Sequence, residues 1–517
     1  MEVSLPLLIC VVLAFLLLFV LVKNSCRSWW PSSEKKKKLR LPPGPWQLPL
    51  VGNLHHVLLS RHGDLPHRAL RELAGKYGPL MMLRFGAVPT LVVSSAEAAS
   101  EVLKTHDAAF ASRHLTPTLA VLSRGGRDIL FSPYGDLWRQ LRRICVHELF
   151  SARRVQSLRH VREGEAASLV RSVAAECARG GAVVSVGEMI SRAVNDSVVR
   201  SAVGARLARR DEFVRELDAS VKLSGGFNLA DLYPSSWLAR RLSGALRETE
   251  RCNRSLMAIM DEIIREHAAA TGTDDSDRDG EEDLLGVLLR LQRNGDVLCP
   301  LTTDLITNVI LDILAAGSET SSTTLEWALS ELVRNPDIME KAQAEVRQIF
   351  RGENKLTEGM TDKLSYLRLV IRETLRLHLP VPFLLPRQCR EPCSVMGYDI
   401  PVGTKVLVNA WAIARDNRYW DDPEVFKPER FENNPVDFKG IDFEFIPFGA
   451  GRRICPGIAL GLANTELMLA SLLYHFDWEL LDRQRNEEID LSETFGITVK
   501  RKSKLTVHAT QRIPCLG

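Results

Sequence analysis

Apolar and polar residues follow mostly helical periods along this chain. The spacing predicts a short helix from Pro66 to Tyr77 and another from Ala96 to Thr105. Between them the apolar runs Leu80 to Phe85 and Thr90 to Val93 flank Gly86 and Pro89, which predicts a β-hairpin. His114 to Gly126 has no clear period and carries Pro117, Gly125 and Gly126, so it reads as a long loop. A helix is expected from about Leu137 to Glu148. Residues 153 to 270 read as mostly helical, broken at Gly225-Gly226 and Tyr233-Pro234. Thr271 to Asp283 is polar and mostly acidic, the composition of a disordered loop. The longest periodic stretch runs from Thr302 to Arg334 and stops before Pro336. At 1.5 Å per residue it would span roughly 50 Å, enough to cross a domain. Further helices are expected from about Ser365 to Leu377 and from Ala459 to Tyr474, with an extended, proline-rich segment from Leu379 to Arg387.

Within the longest stretch, Val309, Ile313, Ala316 and Thr320 recur at i, i+4, i+7 and i+11 and share one face. Asp312 lies eight residues before Thr320 on nearly the same side. A buried carboxylate there needs a partner, either within the protein or on a ligand. The middle reads Ala315-Ala316-Gly317-Ser318-Glu319-Thr320, and its interior glycine costs about 1 kcal/mol relative to alanine. Close approach of a ligand is one reason to keep it. Thr320 can bond back to the Ala316 carbonyl and bend the helix. Taken alone, the same residues also describe a kinked core helix.

At 517 residues, with 45% hydrophobic and 25% charged residues and no internal repeat or long linker, one large globular domain is preferred. The formal net charge of +3 and the absence of a recognised motif give no support to nucleic-acid binding. The ten cysteines follow no framework spacing. Cys389 and Cys393 are the closest pair, with nothing to complete a zinc site, and read as reduced thiols of a cytosol-facing domain.

The N-terminus changes the picture. Leu5 to Val22 is almost wholly apolar and free of charge, near the lower limit for a membrane span. Glu2 precedes it, while Lys23, Arg27 and Lys35 to Lys38 follow, which places the residues after Val22 in the cytosol. A cleaved signal peptide is the rival reading. It would put the basic region first and a small-residue cleavage site after, and neither is present. The sequons at Asn195 and Asn253 offer a test, since cytosolic asparagines stay unglycosylated. Leu41-Pro42-Pro43-Gly44-Pro45 reads as a stiff hinge. The expected organisation is an anchor over residues 1–22, a basic and proline-rich hinge over 23–45, and a catalytic domain over 46–517.

The chemistry centres on Phe448-Gly449-Ala450-Gly451-Arg452-Arg453-Ile454-Cys455-Pro456-Gly457. Three glycines and a proline make this a loop shaped by its backbone. Turn amides and the positive end of the following helix would lower the Cys455 pKa and favour a thiolate, as an axial ligand to haem iron requires. A buried structural cysteine is the bland alternative for an isolated thiol. Upstream, Trp138 and Arg142 are four apart on one helical face, and both are donors suited to a carboxylate. The ten-residue pattern Phe-Gly-x-Gly-x-Arg-x-Cys-x-Gly resembles the signature of the cytochrome P-450 family of haem-thiolate monooxygenases. The resemblance extends over essentially the whole chain and looks most like the plant microsomal members.

That resemblance implies a mainly α fold with small β-sheets, the cytochrome P-450 fold, behind an N-terminal transmembrane helix. It implies haem b (iron protoporphyrin IX) as cofactor, with Cys455 as the axial ligand, Phe448 and Arg453 within the haem-binding signature, and Trp138, Arg142, Arg387 and Arg453 as donors to the propionates. Thr320 would hold the water or hydroperoxide and Glu319 would help relay protons; many relatives carry Asp at the Glu319 position. Glu373 and Arg376, completed by Arg430 of Pro428-Glu429-Arg430-Phe431, would lock the core beside the cysteine loop. Val381, Phe383, Leu384 and Ile497 match pocket segments and join Val309, Asp312, Ile313 and Ala316 as expected substrate contacts, a largely apolar lining. No dinucleotide fingerprint follows a strand, so electrons from NADPH are expected to arrive through a cytochrome reductase in the same membrane. The expected location is the endoplasmic reticulum membrane, single-pass, with the catalytic domain facing the cytosol. The expected reaction uses O2 to hydroxylate a small apolar plant metabolite, a terpenoid in the first instance. A phenylpropanoid or indole-derived substrate is the alternative. A hydroperoxide-rearranging relative and a non-catalytic haem-binding protein are the rivals; Thr320 argues against the former and the complete set of cycle residues against the latter.

Overall fold

The computed structural model describes residues 39–179, 183–271, 282–295, 298–353, 356–481 and 489–514. The expected membrane anchor, the basic part of the hinge and nearly all of the acidic stretch 271–283 lie outside these residues. Among the described residues no helix is long and apolar enough to cross a membrane. The described end of the expected hinge is docked: the Met82 N–H donates to Pro43 O at 2.9 Å, and the Asn53 side chain donates to Pro45 O at 3.0 Å.

The architecture is mainly helical with small sheets. The helix Thr303–Arg334 passes through the middle of the largest apolar cluster and packs against Val186–Val203 and Ile458–His475. Its start is fixed by the Thr302 side chain, which accepts from the Leu305 N–H, and it ends at Asn335 before Pro336. Gly317 has a packing reason as well as a place on a cavity wall. A Cβ there would lie 3.0 Å from Val198 Cγ1, so the missing side chain lets the Val186–Val203 helix approach closely.

The expected hairpin forms as Leu80–Phe85 against Val88–Val93, antiparallel, with Leu80 opposite Val93. It extends into a five-stranded sheet in the order Leu80–Phe85, Val88–Val93, Lys405–Val408, Arg387–Gln388, Ser112–Arg113. Lys405 pairs with Thr90 in parallel and with Gln388 antiparallel. A three-stranded sheet joins Val183–Val184, Val507–Gln511 and Phe476–Glu479. Glu493–Thr494 with Lys500–Arg501 makes a short hairpin.

Two local expectations need correction. The segment 114–126 is not all loop: Pro117–Leu122 is helical, because the Thr116 side chain caps the Leu119 N–H and Pro117 sits in the first turn. Asn195 is buried, with its side-chain amide donating to Ser318 Oγ at 3.2 Å. Its glycosylation state would therefore report burial and not topology. The Glu373–Arg376 pair is fully buried, at 2.7 Å, and Arg430 Nε donates to Glu373 Oε1 at 2.9 Å. Arg376 also donates to the carbonyls of Ala414 and Pro423, so this trio stitches the Ser365–Leu377 helix to the segment before the cysteine loop.

Candidate active site: a cavity between a cysteine loop and the long helix

A cavity of about 370 Å³ separates the cysteine loop from the middle of the long helix. Cys455, Phe448, Gly449 and Arg453 line one side; Asp312, Ile313, Ala316, Gly317, Glu319 and Thr320 line the other. The loop is fixed by its own backbone. Gly449 and Gly451 have φ of 72° and 69°, and a Cβ on Gly451 would fall 2.2 Å from the Leu103 carbonyl oxygen. The Cys455 N–H donates to Phe448 O at 3.0 Å, closing the turn. The helix Ile458–His475 starts three residues later. The expected low thiol pKa is not what the protein alone produces. Burial pushes the Cys455 thiol up, against the pull of the Gly457 amide and the Arg142 guanidinium. A bound cation is what would favour the thiolate there.

Around one rim stand four arginines, Arg113, Arg142, Arg387 and Arg453. Arg453 Nε donates to Ala111 O at 2.8 Å and Nη2 to Ser132 O, while Nη1 is buried with no protein partner. Its guanidinium lies 4.1 Å from the centre of the Trp138 ring. Arg142 makes no hydrogen bond or ion pair among the described residues. Arg387 is committed to Asp107 Oδ1 and to Ala450 O, both at 2.8 Å. The Trp138 N–H is likewise taken, by Ile129 O at 3.2 Å. Among the expected carboxylate donors, Arg142 is wholly free, Arg453 has a free Nη1 and Arg387 keeps three of its five N–H groups, whereas the single Trp138 N–H is engaged within the protein.

Arg113 was not legible in the sequence. It donates to Leu130 O and Leu385 O, at 3.0 and 2.8 Å. Burial, then Arg453 and Arg387, pushes its pKa well below the ordinary range, and burial and Arg387 push Arg453 down to about 9. Asp128, raised to about 6 by burial, is the nearby acid, with one oxygen bound to the Phe131 and Ser132 amides. So many buried guanidiniums with so few carboxylates favour an anionic guest. A flat group with two carboxylates, set between a thiol and a helix and against a glycine loop, fits this lining.

The expected substrate contacts divide. Ile313, Ala316, Val381, Leu384, Ile497 and Asp312 line the cavity; Phe383 lines a smaller cavity beside it, and Val309 lines neither. Asp312 Oδ2 accepts from the Ile129 and Leu130 amides at 3.0 and 3.2 Å, and Asn308 donates to Arg127 O at 2.8 Å. The segment 127–130 is therefore bonded to the helix at Asn308 and Asp312, and Val309 between them is buried in core packing. Leu384 has φ of 52°, which turns the chain so that Leu384 faces the cavity while Phe383 packs against His67 and Phe495. Thr320 Oγ1 donates to Ala316 O at 2.7 Å, as its position suggested.

Glu319 has a partner set that the sequence did not reveal. Lys500 Nζ lies 2.7 Å from Glu319 Oε2 and 2.7 Å from Asp218 Oδ1, bridging the long helix to the helix Arg210–Leu223. Burial raises the Glu319 pKa to about 7, with Lys500 opposing and Asp218 reinforcing the rise.

A half-buried cysteine faces a helix threonine across a cavity rimmed with arginine, an arrangement that fits a haem-thiolate site. Residues 42–507 match the cytochrome P450 family model. The chain is 49% identical over 481 residues to dolabradiene monooxygenase of Zea mays, covering 93% of this chain and 94% of that one. It is 50% identical over 483 residues to ent-isokaurene C2/C3-hydroxylase of Oryza sativa subsp. japonica, covering 92% and 93%. A zebra fish cytochrome P450 structure with progesterone superposes with a TM-score of 0.72 at 29% identity, covering 86% of this chain and 99% of that chain. The chain belongs to the cytochrome P450 family. It is an oxidoreductase of the monooxygenase class, and its cofactor is haem iron.

Proposed function

We propose that this protein is a membrane-anchored monooxygenase that hydroxylates a small, largely apolar terpenoid, with electrons drawn from NADPH through a cytochrome reductase in the same membrane. The observation that carries the substrate class is the apolar end of the cavity, built from Ile313, Ala316, Val381, Leu384 and Ile497 against Thr320. Relatives whose names specify dolabradiene and ent-isokaurene support it. The apolar segment Leu5 to Val22, followed by basic residues, supports a single-pass anchor in the endoplasmic reticulum with the body in the cytosol.

Haem, when bound, supplies the oxygen-activating chemistry. The residues of the chain do the rest. Cys455 would hold the haem iron through its sulfur, presented by a loop whose Gly451 has no room for a Cβ beneath Leu103 O. Arg453 Nη1 and Arg142 would hold the carboxylates of the cofactor, and Phe448 lines the cavity beside the cysteine. Thr320 holds a proton at Oγ1, and Glu319, titrating at about 7, exchanges protons beside it. Ile313, Ala316, Val381, Leu384 and Ile497 orient the apolar ligand and exclude water.

Microsomes containing this protein and a reductase, fed C15 and C20 terpene hydrocarbons, phenylpropanoids and indoles with NADPH, test the reading. A terpenoid product heavier by one oxygen is expected. Turnover confined to phenylpropanoids or indoles, or no turnover despite a thiolate-type spectrum, would overturn it.

A further inference from the structure

Beside the main cavity lies a second of about 30 Å³, and Ser224, Leu384 and Ile497 line both. Lys405 lines only the smaller one, together with Thr116 and the turn at Gly225-Gly226. Lys405 sits in the middle strand of the five-stranded sheet and is 7% exposed. Among the described residues its ammonium makes no hydrogen bond and no ion pair. A Cβ on Gly226, whose φ is +78°, would lie 3.4 Å from Nζ, so the ammonium reaches up against that turn.

The carboxylate that pulls on Lys405 is Asp231, but it lies beyond ion-pair distance and each of its oxygens accepts a bond from elsewhere. Oδ1 accepts from the Thr118 N–H at 3.0 Å and Oδ2 from the Asn228 amide at 2.6 Å. Burial accordingly pushes the Lys405 pKa down to about 8. His114 offers no counter-charge. Burial and Lys405 itself hold its pKa at about 3, and its Nδ1 is buried without a partner. A buried cation without a counter-ion is costly unless something arrives to pair with it. The small cavity has room for about two water-sized atoms, the size of the two oxygens of a carboxylate and too little for a ring.

We propose that Lys405 is an anchoring cation for substrate: the small cavity receives a carboxylate whose apolar body lies in the main cavity, so the substrate class is a terpenoid carboxylic acid. This rests on the proposed terpenoid function and narrows it. The two ends of such a ligand would divide the work, with Lys405 fixing the acid and the Ile313–Ala316 face presenting the remote carbon to the haem side.

Spectral binding titrations of the holoenzyme at pH 7 test this with two acid–ester pairs: abietic acid with methyl abietate, and adamantane-1-carboxylate with its methyl ester. In the wild type each acid is expected to bind about tenfold more tightly than its ester. In Lys405→Met the ratio should fall to about one, with ester affinity changed less than about twofold, and Lys405→Arg should retain part of the preference. Equal affinities for acid and ester in the wild type mean that water fills the small cavity and overturn the proposal, whether or not the variant folds. A preference that survives Lys405→Met also overturns it. If neither abietane binds but the adamantane pair discriminates through Lys405, the cation site stands and the terpenoid reading falls. Tight binding of both abietanes without discrimination gives the reverse. If neither pair binds, both readings fall.

Discussion

The two walls of the cavity are built on opposite plans. On the cysteine side, conformational freedom is removed by backbone and buried charge. Gly451 is wedged under Leu103 O, Arg387 is fixed by Asp107 and Ala450 O, and the Arg452 N–H donates to Asp107 Oδ2 at 2.8 Å. On the helix side, the wall is apolar and interrupted by a few titratable groups, Asp312 and Glu319 on the helix and Lys500 behind them. The difference shows where specificity can change without loss of the cofactor. The first wall holds one sulfur in one place, and the second leaves room for a guest beside titratable groups.

The comparison breaks most severely at Cys455. Cys455→Ala should abolish the thiolate-type band of the reduced, CO-bound spectrum and reduce turnover below detection, because no second soft ligand lies in the loop. Retention of the wild-type band would place the ligand elsewhere. Next comes Asp107→Ala, which strips Arg387 of its buried counter-charge and frees the Arg452 amide. A loss of about 3 kcal/mol is expected, read as a fall in thermal midpoint together with lower haem retention.

Glu319 sharpens the contrast through pH. Its folded pKa of about 7 lies above the ordinary carboxyl value of 4.5. The stability it contributes is therefore fully present below about pH 4.5 and is lost as the pH rises through about 7. Across that window wild type should lose on the order of 3 kcal/mol relative to Glu319→Gln, whose side chain does not titrate. Urea unfolding of both proteins at pH 5 and pH 8 measures this. A constant difference would mean that Lys500 keeps the carboxylate charged throughout. Thr320→Ala comes below this in energy. It should leave haem and ligand binding intact but lower product per NADPH about tenfold, with peroxide taking up the balance. An unchanged ratio would reduce Thr320 to a hydrogen bond to Ala316 O.

How much of this could be read beforehand follows from range. The long helix, its Thr302 start, the Thr320 bond and the buried Glu373–Arg376 pair all depend on residues within a turn or two of each other or on a dense motif. Val309 lines neither cavity because helical periodicity gives a face and not what covers it, and Phe383 turns to the small cavity instead of the main one. The segment bonded at Asn308 and Asp312, residues 127–130, is nearly two hundred residues away in sequence, and the turn at Phe383 is made by a leucine at positive φ. Lys500, Arg113 and Lys405 carry no local signal at all; each acquires its role from partners, or from the lack of them, assembled by the fold.

The smallest expected effect belongs to Asp312→Asn, and it separates two readings of that carboxylate. Burial first, and Asp128 second, push the Asp312 pKa well above the ordinary range, so the side chain favours its neutral form. Its Oδ2 accepts from the Ile129 and Leu130 amides, a task an asparagine oxygen performs equally well. Asparagine also brings a donor near Asp128, whose Oδ2 is buried without a partner. The substitution should therefore change stability by less than about 1 kcal/mol and leave the binding of an apolar ligand within about twofold. Asp312→Ala should behave differently: two buried amides lose their acceptor, at about 1–3 kcal/mol, and the segment that supplies Ile129 O to Trp138 loosens with them. Spectral titration and thermal melts of the two variants, side by side, decide the matter. If Asp312→Asn abolishes binding of amine ligands while hydrocarbons still bind, the carboxylate serves the ligand. If only Asp312→Ala has an effect, it serves the segment 127–130, and the helix wall owes its shape to a carboxyl group that need not be charged.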